Sequence, residues 1–165
     1  MSESTPSVDV METPVVLFDG VCNFCSSSVR FIHRHDDGRL RFAPLQSEVA
    51  TELLAERGMD PDYFDSLVYI GPEGVHTKSD GAVHIARYMD VPYRLGWHLR
   101  FVPRLLRDAG YDLIARIRYR VWGKKEECMV PDAELRDRFL ATSDGDEAVM
   151  GAAGGEAGGE AAADD

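Results

Sequence analysis

The feature that most constrains the fold is a short apolar run followed closely by two cysteines. Residues 15–18 (VVLF) form a continuous apolar stretch, which is typical of a strand buried on both faces. Asp19-Gly20 ends this stretch, and apolar residues then recur at helical spacing over residues 24–32. Cys22 and Cys25 therefore lie at a strand-to-helix junction, on the first turn of a predicted helix.

The pattern after this junction predicts the element order β-α-β-α-β-β-α. Predicted strands cover residues 15–18, 40–43, 66–70 and 75–78, and predicted helices cover about residues 24–36, 46–57 and 80–89. The first two strands are joined through a helix, so we expect them to pair in parallel, whereas the last two form a hairpin. This predicts an α/β fold with one mixed four-stranded sheet flanked by helices, the minimal thioredoxin or glutaredoxin arrangement.

The chain is expected to contain one ordered domain between two tails. The domain covers residues 14–141, with a thioredoxin-like core over 14–92 and a C-terminal helical extension over 93–141. Residues 1–13 and 142–165 are short of large apolar side chains and cannot bury enough surface to offset chain entropy. We therefore predict a disordered leader and a disordered acidic tail rich in Gly and Ala.

Three helices are predicted in the extension. Apolar spacing indicates one over residues 95–106, interrupted near Pro103, and a second over 113–121 that ends at Gly123. A closing helix is predicted over residues 131–140.

The formal net charge of −11 is concentrated in the tails. Residues 1–13 and 143–165 contain ten Asp and Glu and no Lys or Arg, which leaves residues 14–142 nearly neutral. Within that part, residues 93–125 contain nine Lys and Arg against two Asp. These cations form either ordinary solvated helix faces or a surface for an anionic membrane or an acidic partner. A nucleic-acid partner is not expected, because the domain as a whole is not basic.

The sequence also bears on the compartment. The N-terminus lacks the apolar segment of a signal peptide, and no run approaches the roughly 18–20 apolar residues of a membrane span. We expect a cytoplasmic monomer, in a compartment where thiols are mostly kept reduced. Three cysteines cannot form a closed set of disulfides, and a close pair with a distant third indicates redox or metal chemistry.

The spacing of Cys22 and Cys25 suits a redox-active dithiol. Positions i and i+3 on a first helical turn lie on one face, at a separation that fits disulfide geometry. The N–H groups and positive dipole end of a helix N-terminus favour thiolate over thiol. We expect Cys22 to be the more exposed sulfur and the nucleophile, and Cys25 to be the resolving thiol. Asp19 either accepts the proton of Cys25 or serves only as a turn residue.

Other interpretations of the cysteines remain open. The pair could be small buried residues, or it could bind zinc together with Cys128. The candidates for a fourth zinc ligand are His33, His35, His76, His84 and His98. Cys128 itself is either an accessory thiol close to the dithiol or a small buried residue at the point where the last helix docks.

Four segments of the chain resemble the DCC family of predicted thiol-disulfide oxidoreductases. The family's Asp-Cys-Cys signature corresponds to residues 19–25 (DGVCNFC), and similar segments follow at residues 77–82, 116–123 and 128–131. The resemblance covers about residues 14–140.

The resemblance implies a thioredoxin-like fold and a catalytic dithiol. Disulfide-containing substrates and a thiol reductant are the implied partners, and no bound cofactor or metal is expected. Thioredoxin-like enzymes carry a cis-proline just before the third strand, facing the dithiol. The corresponding place in this sequence is Asp65-Ser66.

Overall fold

One mixed four-stranded sheet organises the computed structural model, which describes residues 9–63, 65–124, 126 and 131–140. The strands are β1 (Val15–Phe18), β2 (Arg41–Pro44), β3 (Val68–Gly71) and β4 (Gly74–Thr77). Their order across the sheet is β2-β1-β3-β4. Strand β1 pairs in parallel with β2, and β3 pairs antiparallel with β1 and β4. The predicted α/β thioredoxin-like fold is confirmed.

Strand β1 is buried completely because apolar clusters cover both faces of the sheet. Side chains alternate between the two faces of a strand. Phe18 accordingly packs with the apolar residues of α1 (Asn23–His35), and Leu17 packs with those of α2 (Glu48–Glu56). The end of β1, and with it the start of α1, is therefore held at the centre of the molecule.

Helix α3 (Lys78–Ala86) follows β4 with no intervening loop. Its N-cap is Thr77, so the helix begins earlier than the predicted helix over residues 80–89. Ser79 donates to a carboxylate of the extension, and Asp80 binds an imidazole on β4. The close approach of α3 to β4 requires Gly81, where a Cβ would lie 2.9 Å from a backbone oxygen.

The extension begins with a 3₁₀-helix (Tyr93–Phe101), followed by the single helix α4 (Arg104–Trp122). The end of the first predicted helix and the whole of the second belong to this one helix, which starts directly after Pro103 and ends at Trp122. Helix α4 also includes residues 107–112, for which no helix is predicted, and Tyr111 in this part accepts a hydrogen bond from Leu67 N at 3.0 Å.

The closing helix α5 (Ala133–Arg136) is shorter than the predicted helix over 131–140. The chain after it pairs with β2 instead of continuing as a helix. Phe42 donates its N–H to Arg138 O at 2.8 Å, and Leu140 donates to Phe42 O at 2.9 Å. This pairing covers an edge strand that would otherwise leave backbone groups unpaired.

The predicted tail and most of the predicted leader lie outside the described residues. Residues 9–13 form a turn in which Thr13 donates its N–H to Asp9 O at 2.9 Å. None of the helices in the described ranges is long and apolar enough to cross a membrane.

Candidate active site

Cys22 is the N-cap residue of α1, and Cys25 lies on the first turn of that helix. The backbone N–H of Cys25 points at the Cys22 sulfur, with 3.3 Å between Cys25 N and Cys22 Sγ. An N-cap side chain that accepts from the first turn occupies the position where a helix best stabilises negative charge. The Cys22 sulfur therefore lies at the positive end of the helix dipole.

The relative exposure of the two cysteines is the reverse of the prediction. Cys22 is 0% exposed, whereas Cys25 is only partly buried. Cys22 forms an antiparallel bridge with Lys124, and Asn23 Nδ2 donates to Trp122 O at 2.9 Å. The segment after α4 therefore covers Cys22, and this contact between distant parts of the chain is invisible in the local sequence.

The Cys25 thiol holds its proton strongly. Burial raises the pKa of Cys25, and the hydrogen bond with Cys22 and the charge of Cys22 raise it further, to about 12. The Arg118 guanidinium acts in the opposite direction.

Asp19 carries a buried carboxylate, and its two oxygens contact different parts of the site. Its Oδ1 accepts from Val21 N at 3.1 Å and from Gln46 Nε2 at 3.0 Å, as a turn residue does. Its Oδ2 accepts from the hydroxyl of Tyr119. Burial and this hydrogen bond raise the pKa of Tyr119 to about 12, so the hydroxyl remains a donor.

Arg118 is a site residue that the sequence reasoning did not identify. It is 7% exposed, and its Nη1 lies 3.3 Å from Cys25 Sγ. Its Nη2 lies 3.2 Å from the Tyr119 hydroxyl and 3.7 Å from Asp19 Oδ2. The guanidinium thus links the Cys25 sulfur to the buried carboxylate.

The helical spacing of α4 contained the signal for Arg118. Tyr111, Ile114, Ala115 and Arg118 are spaced i, i+3, i+4 and i+7, which places them on one helix face. A simple count of the cations over residues 93–125 includes Arg118 and does not separate it by helix face.

A cavity of about 340 Å³ lies beside Cys25, between α1, α3 and α4. Its walls are almost entirely apolar, and Cys22 is not among the lining residues. The lining side chains include Phe18, Phe24, Cys25, Val29, Phe31, Ile32, Leu67, Ile85, Met89, Tyr111, Ile114 and Arg118.

The chain before β3 reaches the same cavity through Leu67. Leu67 donates its N–H to the Tyr111 hydroxyl at 3.0 Å, and its carbonyl accepts from Lys78 N at 3.3 Å. The main-chain groups of Leu67, close to the place where related folds carry their cis-proline, are therefore already paired within the molecule.

The structure bears in part on the zinc hypothesis. Within the described residues, one group of three possible metal ligands lies close together, namely His76, Asp80 and His84, and it includes neither cysteine. Asp80 already accepts from His76 Nδ1 at 2.6 Å and faces Arg107 Nη2 at 3.4 Å. Cys128 lies outside the described residues, so the set of three thiolates and the accessory-thiol role both stay predictions.

The cations of residues 93–125 do not form one uniform face. Arg118 is buried, and the side chain of Arg107 is 10% exposed, whereas Arg100 and Arg116 face solvent. Large apolar side chains are exposed beside the solvent-facing cations, among them Phe101.

The fold and the cysteine pair together define the class of the protein. It is a thioredoxin-like domain with two cysteines at the N-terminus of its first helix. A family model for DCC1-like thiol-disulfide oxidoreductases matches residues 16–124, so the chain belongs to that family. The resemblance seen in the sequence is confirmed, and membership supports a redox role.

Two curated relatives match most of the chain. It is 45% identical over 127 residues to the uncharacterized protein YuxK of Bacillus subtilis, covering 76% of this chain and 93% of YuxK. It is 35% identical over 130 residues to a chloroplastic DCC family protein of Arabidopsis thaliana, covering 78% of this chain and 76% of that protein. No solved structure matches the chain at a significant level.

Proposed function

We propose that the protein is a thiol-disulfide oxidoreductase that exchanges the Cys22/Cys25 couple with disulfide-containing substrates. The observation that carries this proposal is the contact between Cys25 N and Cys22 Sγ at the start of α1. That contact supports a thiolate on Cys22, and the thiolate is the reactive form of cysteine. The chemistry needs no bound cofactor.

The first step is attack by the Cys22 thiolate on one sulfur of the substrate disulfide. A disulfide forms between Cys22 and that sulfur, and the other substrate sulfur leaves as a thiolate. Because Cys22 is covered, the segment of residues 122–124 must move aside to admit a protein substrate.

The second step uses Cys25 as the resolving thiol. Cys25 Sγ attacks Cys22 Sγ, the remaining substrate sulfur is released, and the proton of Cys25 passes to Asp19. Arg118, 3.3 Å from Cys25 Sγ, stabilises the negative charge that develops there. Two electrons have then passed to the substrate, and a thiol reductant, cytoplasmic in our proposal, restores the dithiol by the same exchange.

The test compares wild type, Cys22→Ser and Cys25→Ser in the reduction of insulin and of hydroxyethyl disulfide. We expect Cys22→Ser to be inactive and Cys25→Ser to accumulate a mixed disulfide on Cys22, seen by mass spectrometry. Ser27→Ala, at an exposed position of α1, is the control. Retained turnover in Cys22→Ser would refute the proposal, and bound zinc with no turnover in wild type would favour the zinc-binding module.

A second proposed function is docking on an anionic membrane surface through the 3₁₀-helix and α4. Phe101 is 73% exposed and Leu105 is 82% exposed, which is unusual for large apolar side chains. The guanidinium of Arg100 lies over the Phe101 ring, with 4.7 Å between its Cζ and the ring centroid. Apolar residues mixed with arginines on one surface suit the headgroup region of an acidic bilayer.

Vesicle sedimentation tests this second function. The full chain should bind phosphatidylcholine vesicles that contain phosphatidylglycerol and not vesicles of phosphatidylcholine alone. Phe101→Ser with Leu105→Ser should abolish binding, whereas Met11→Ser, at an exposed apolar residue elsewhere, should not. Equal binding by the double variant, or no binding by wild type, would contradict membrane docking and leave the acidic partner as the alternative.

A further inference from the structure

We propose that the cavity beside Cys25 binds a small, neutral, mostly apolar molecule that carries a carbonyl oxygen. The oxygen accepts a hydrogen bond from Arg118, and the apolar body lies against the side chains of α1, α3 and α4. This ligand site is separate from the covered face of Cys22, and neither the family nor the disulfide-exchange chemistry requires it.

The size and lining of the cavity favour an apolar body. Its volume, about 340 Å³, lies within the range of small-molecule pockets, roughly 300–1,000 Å³. Phe31 and Ile114 line it and are 41% and 43% exposed, so the cavity reaches the surface. A molecule the size of a substituted naphthalene fits this space.

An unpaired donor on Arg118 indicates where the polar atom of the ligand lies. Arg118 Nε is buried and has no hydrogen-bond partner within the described part of the chain. The other guanidinium nitrogens already contact Cys25 Sγ, the Tyr119 hydroxyl and Asp19. Arg118 is itself a lining residue of the cavity, and these contacts do not use all five of its N–H donors, so a ligand oxygen there can accept from the guanidinium.

Charge balance favours a neutral carbonyl over a carboxylate. Arg118 Nη2 lies 3.7 Å from Asp19 Oδ2, so the positive charge of Arg118 is already compensated by a carboxylate. Arg118 is the only cation that lines the cavity among the described residues. A carboxylate would therefore bring uncompensated negative charge into a buried site, whereas a carbonyl oxygen requires no counter-charge.

A ligand in this position lies next to one sulfur of the pair and not the other. Cys25 lines the cavity and Cys22 does not. Occupancy should therefore shield Cys25 from alkylating reagents. This shielding gives a readout that does not depend on turnover.

Calorimetric titration with three naphthalene probes tests the proposal. We expect 1-acetonaphthone to bind about tenfold tighter than 1-ethylnaphthalene, because only the ketone accepts from Arg118, and tighter than 1-naphthoate. Arg118→Met should remove the preference for the ketone. Ala115→Phe, which fills the cavity, should abolish binding, whereas Ala109→Phe, exposed on the same helix, should not.

A second measurement, the protection of Cys25 from alkylation, does not depend on the Arg118 and Ala115 variants. In Cys22→Ser, 1-acetonaphthone should slow alkylation of Cys25 by iodoacetamide. Failure of all three probes to bind wild type, equal affinity for all three, or no protection would overturn the inference. A protein that binds the ketone but does not reduce disulfides would refute the proposed function and leave this inference standing.

Discussion

At the scale of single residues, the site places charged and polar groups around the proton of the Cys25 thiol. Cys22 accepts from the helix N-terminus, Cys25 retains its hydrogen, and Arg118 and Asp19 form a buried ion pair beside them. Asp19 compensates the charge of the buried guanidinium, and the guanidinium in turn lowers the pKa of the Cys25 thiol that it contacts. Arg118 therefore sets the ease with which Cys25 gives up its proton.

Arg118→Gln should raise the pKa of Cys25, since the guanidinium lowers it in the wild type. The step that needs a Cys25 thiolate should slow by about tenfold. The pKa is measured from the pH dependence of Cys25 alkylation, and the step by stopped-flow. Arg118→Lys should recover most of the rate, and Arg116→Gln, exposed on the same helix, should change nothing; an unaltered pKa in Arg118→Gln would refute this role.

Cys22→Ser should lower the pKa of Cys25. Burial remains in the variant, but the hydrogen bond with Cys22 and the charge of Cys22, which both raise the wild-type pKa, are removed. At a given alkaline pH the variant should therefore carry more Cys25 thiolate and react faster. Peptide mass spectrometry after iodoacetamide treatment over a pH series measures this, and equal pH profiles for Cys25 in both proteins would contradict it.

At the scale of elements, helix α4 completes the site. One of its faces supplies Tyr111, Ile114 and Arg118 to the cavity, and the segment that follows it covers Cys22. The minimal thioredoxin-like core contributes the cysteines and Asp19. The extension thus controls which sulfur is accessible, and it closes the cavity over α1.

Asn23→Ala should expose Cys22. The variant removes the hydrogen bond from Asn23 Nδ2 to Trp122 O, which ties residues 122–124 to the start of α1. Loss of one such bond favours opening by about threefold to tenfold, and alkylation of Cys22 should accelerate accordingly. Ser27→Ala is the control, and an unchanged rate in Asn23→Ala would show that this bond does not hold the segment.

Tyr111→Phe should destabilise the protein by about 1–2 kcal/mol, because the Leu67 N–H would lose its only acceptor among the described residues. Urea unfolding followed by circular dichroism measures the free energy of unfolding. Tyr93→Phe removes the hydroxyl of a tyrosine that is 40% exposed and should have little effect. Equal stability of wild type and Tyr111→Phe would show that water replaces the hydroxyl.

At the scale of the whole molecule, a polar cluster joins the core to the extension. Asp80 on α3 binds His76 on β4 and faces Arg107 on α4. Burial alone would raise the pKa of Asp80, but the hydrogen bond from His76 and the charge of His76 outweigh it and hold the pKa below its ordinary value of 3.8. The ionised carboxylate is therefore the form that stabilises the junction.

The stability due to Asp80 should depend on pH. A carboxylate whose pKa is lower in the folded state stabilises the protein fully above its unfolded-state pKa of 3.8, and this stability is lost as the pH falls through the lower folded pKa. Asp80→Asn should thus be less stable than wild type at about pH 7, and the difference should shrink at about pH 3. Unfolding free energies at both values measure this, with exposed Asp62→Asn as control; a constant difference would contradict the assignment.

The sequence by itself determined the core of the fold and the position of the dithiol. Residues 15–18 signal a buried strand, and the apolar spacing that follows signals α1, so the placement of Cys22 and Cys25 depends only on neighbouring residues. Asp19 was identified for the same reason, although its partners were not. Local periodicity carries this information because strands and helices repeat at fixed intervals.

Only the tertiary structure decided which sulfur is covered and what surrounds the other one. Arg118 and Cys25 are 93 residues apart, and Asn23 and Trp122 are 99 apart. Whether α4 turns Arg118 toward α1, and whether the chain after it lies on Cys22, depends on how these elements pack. Packing results from the complementary surfaces of distant segments, and no pattern within one segment specifies it.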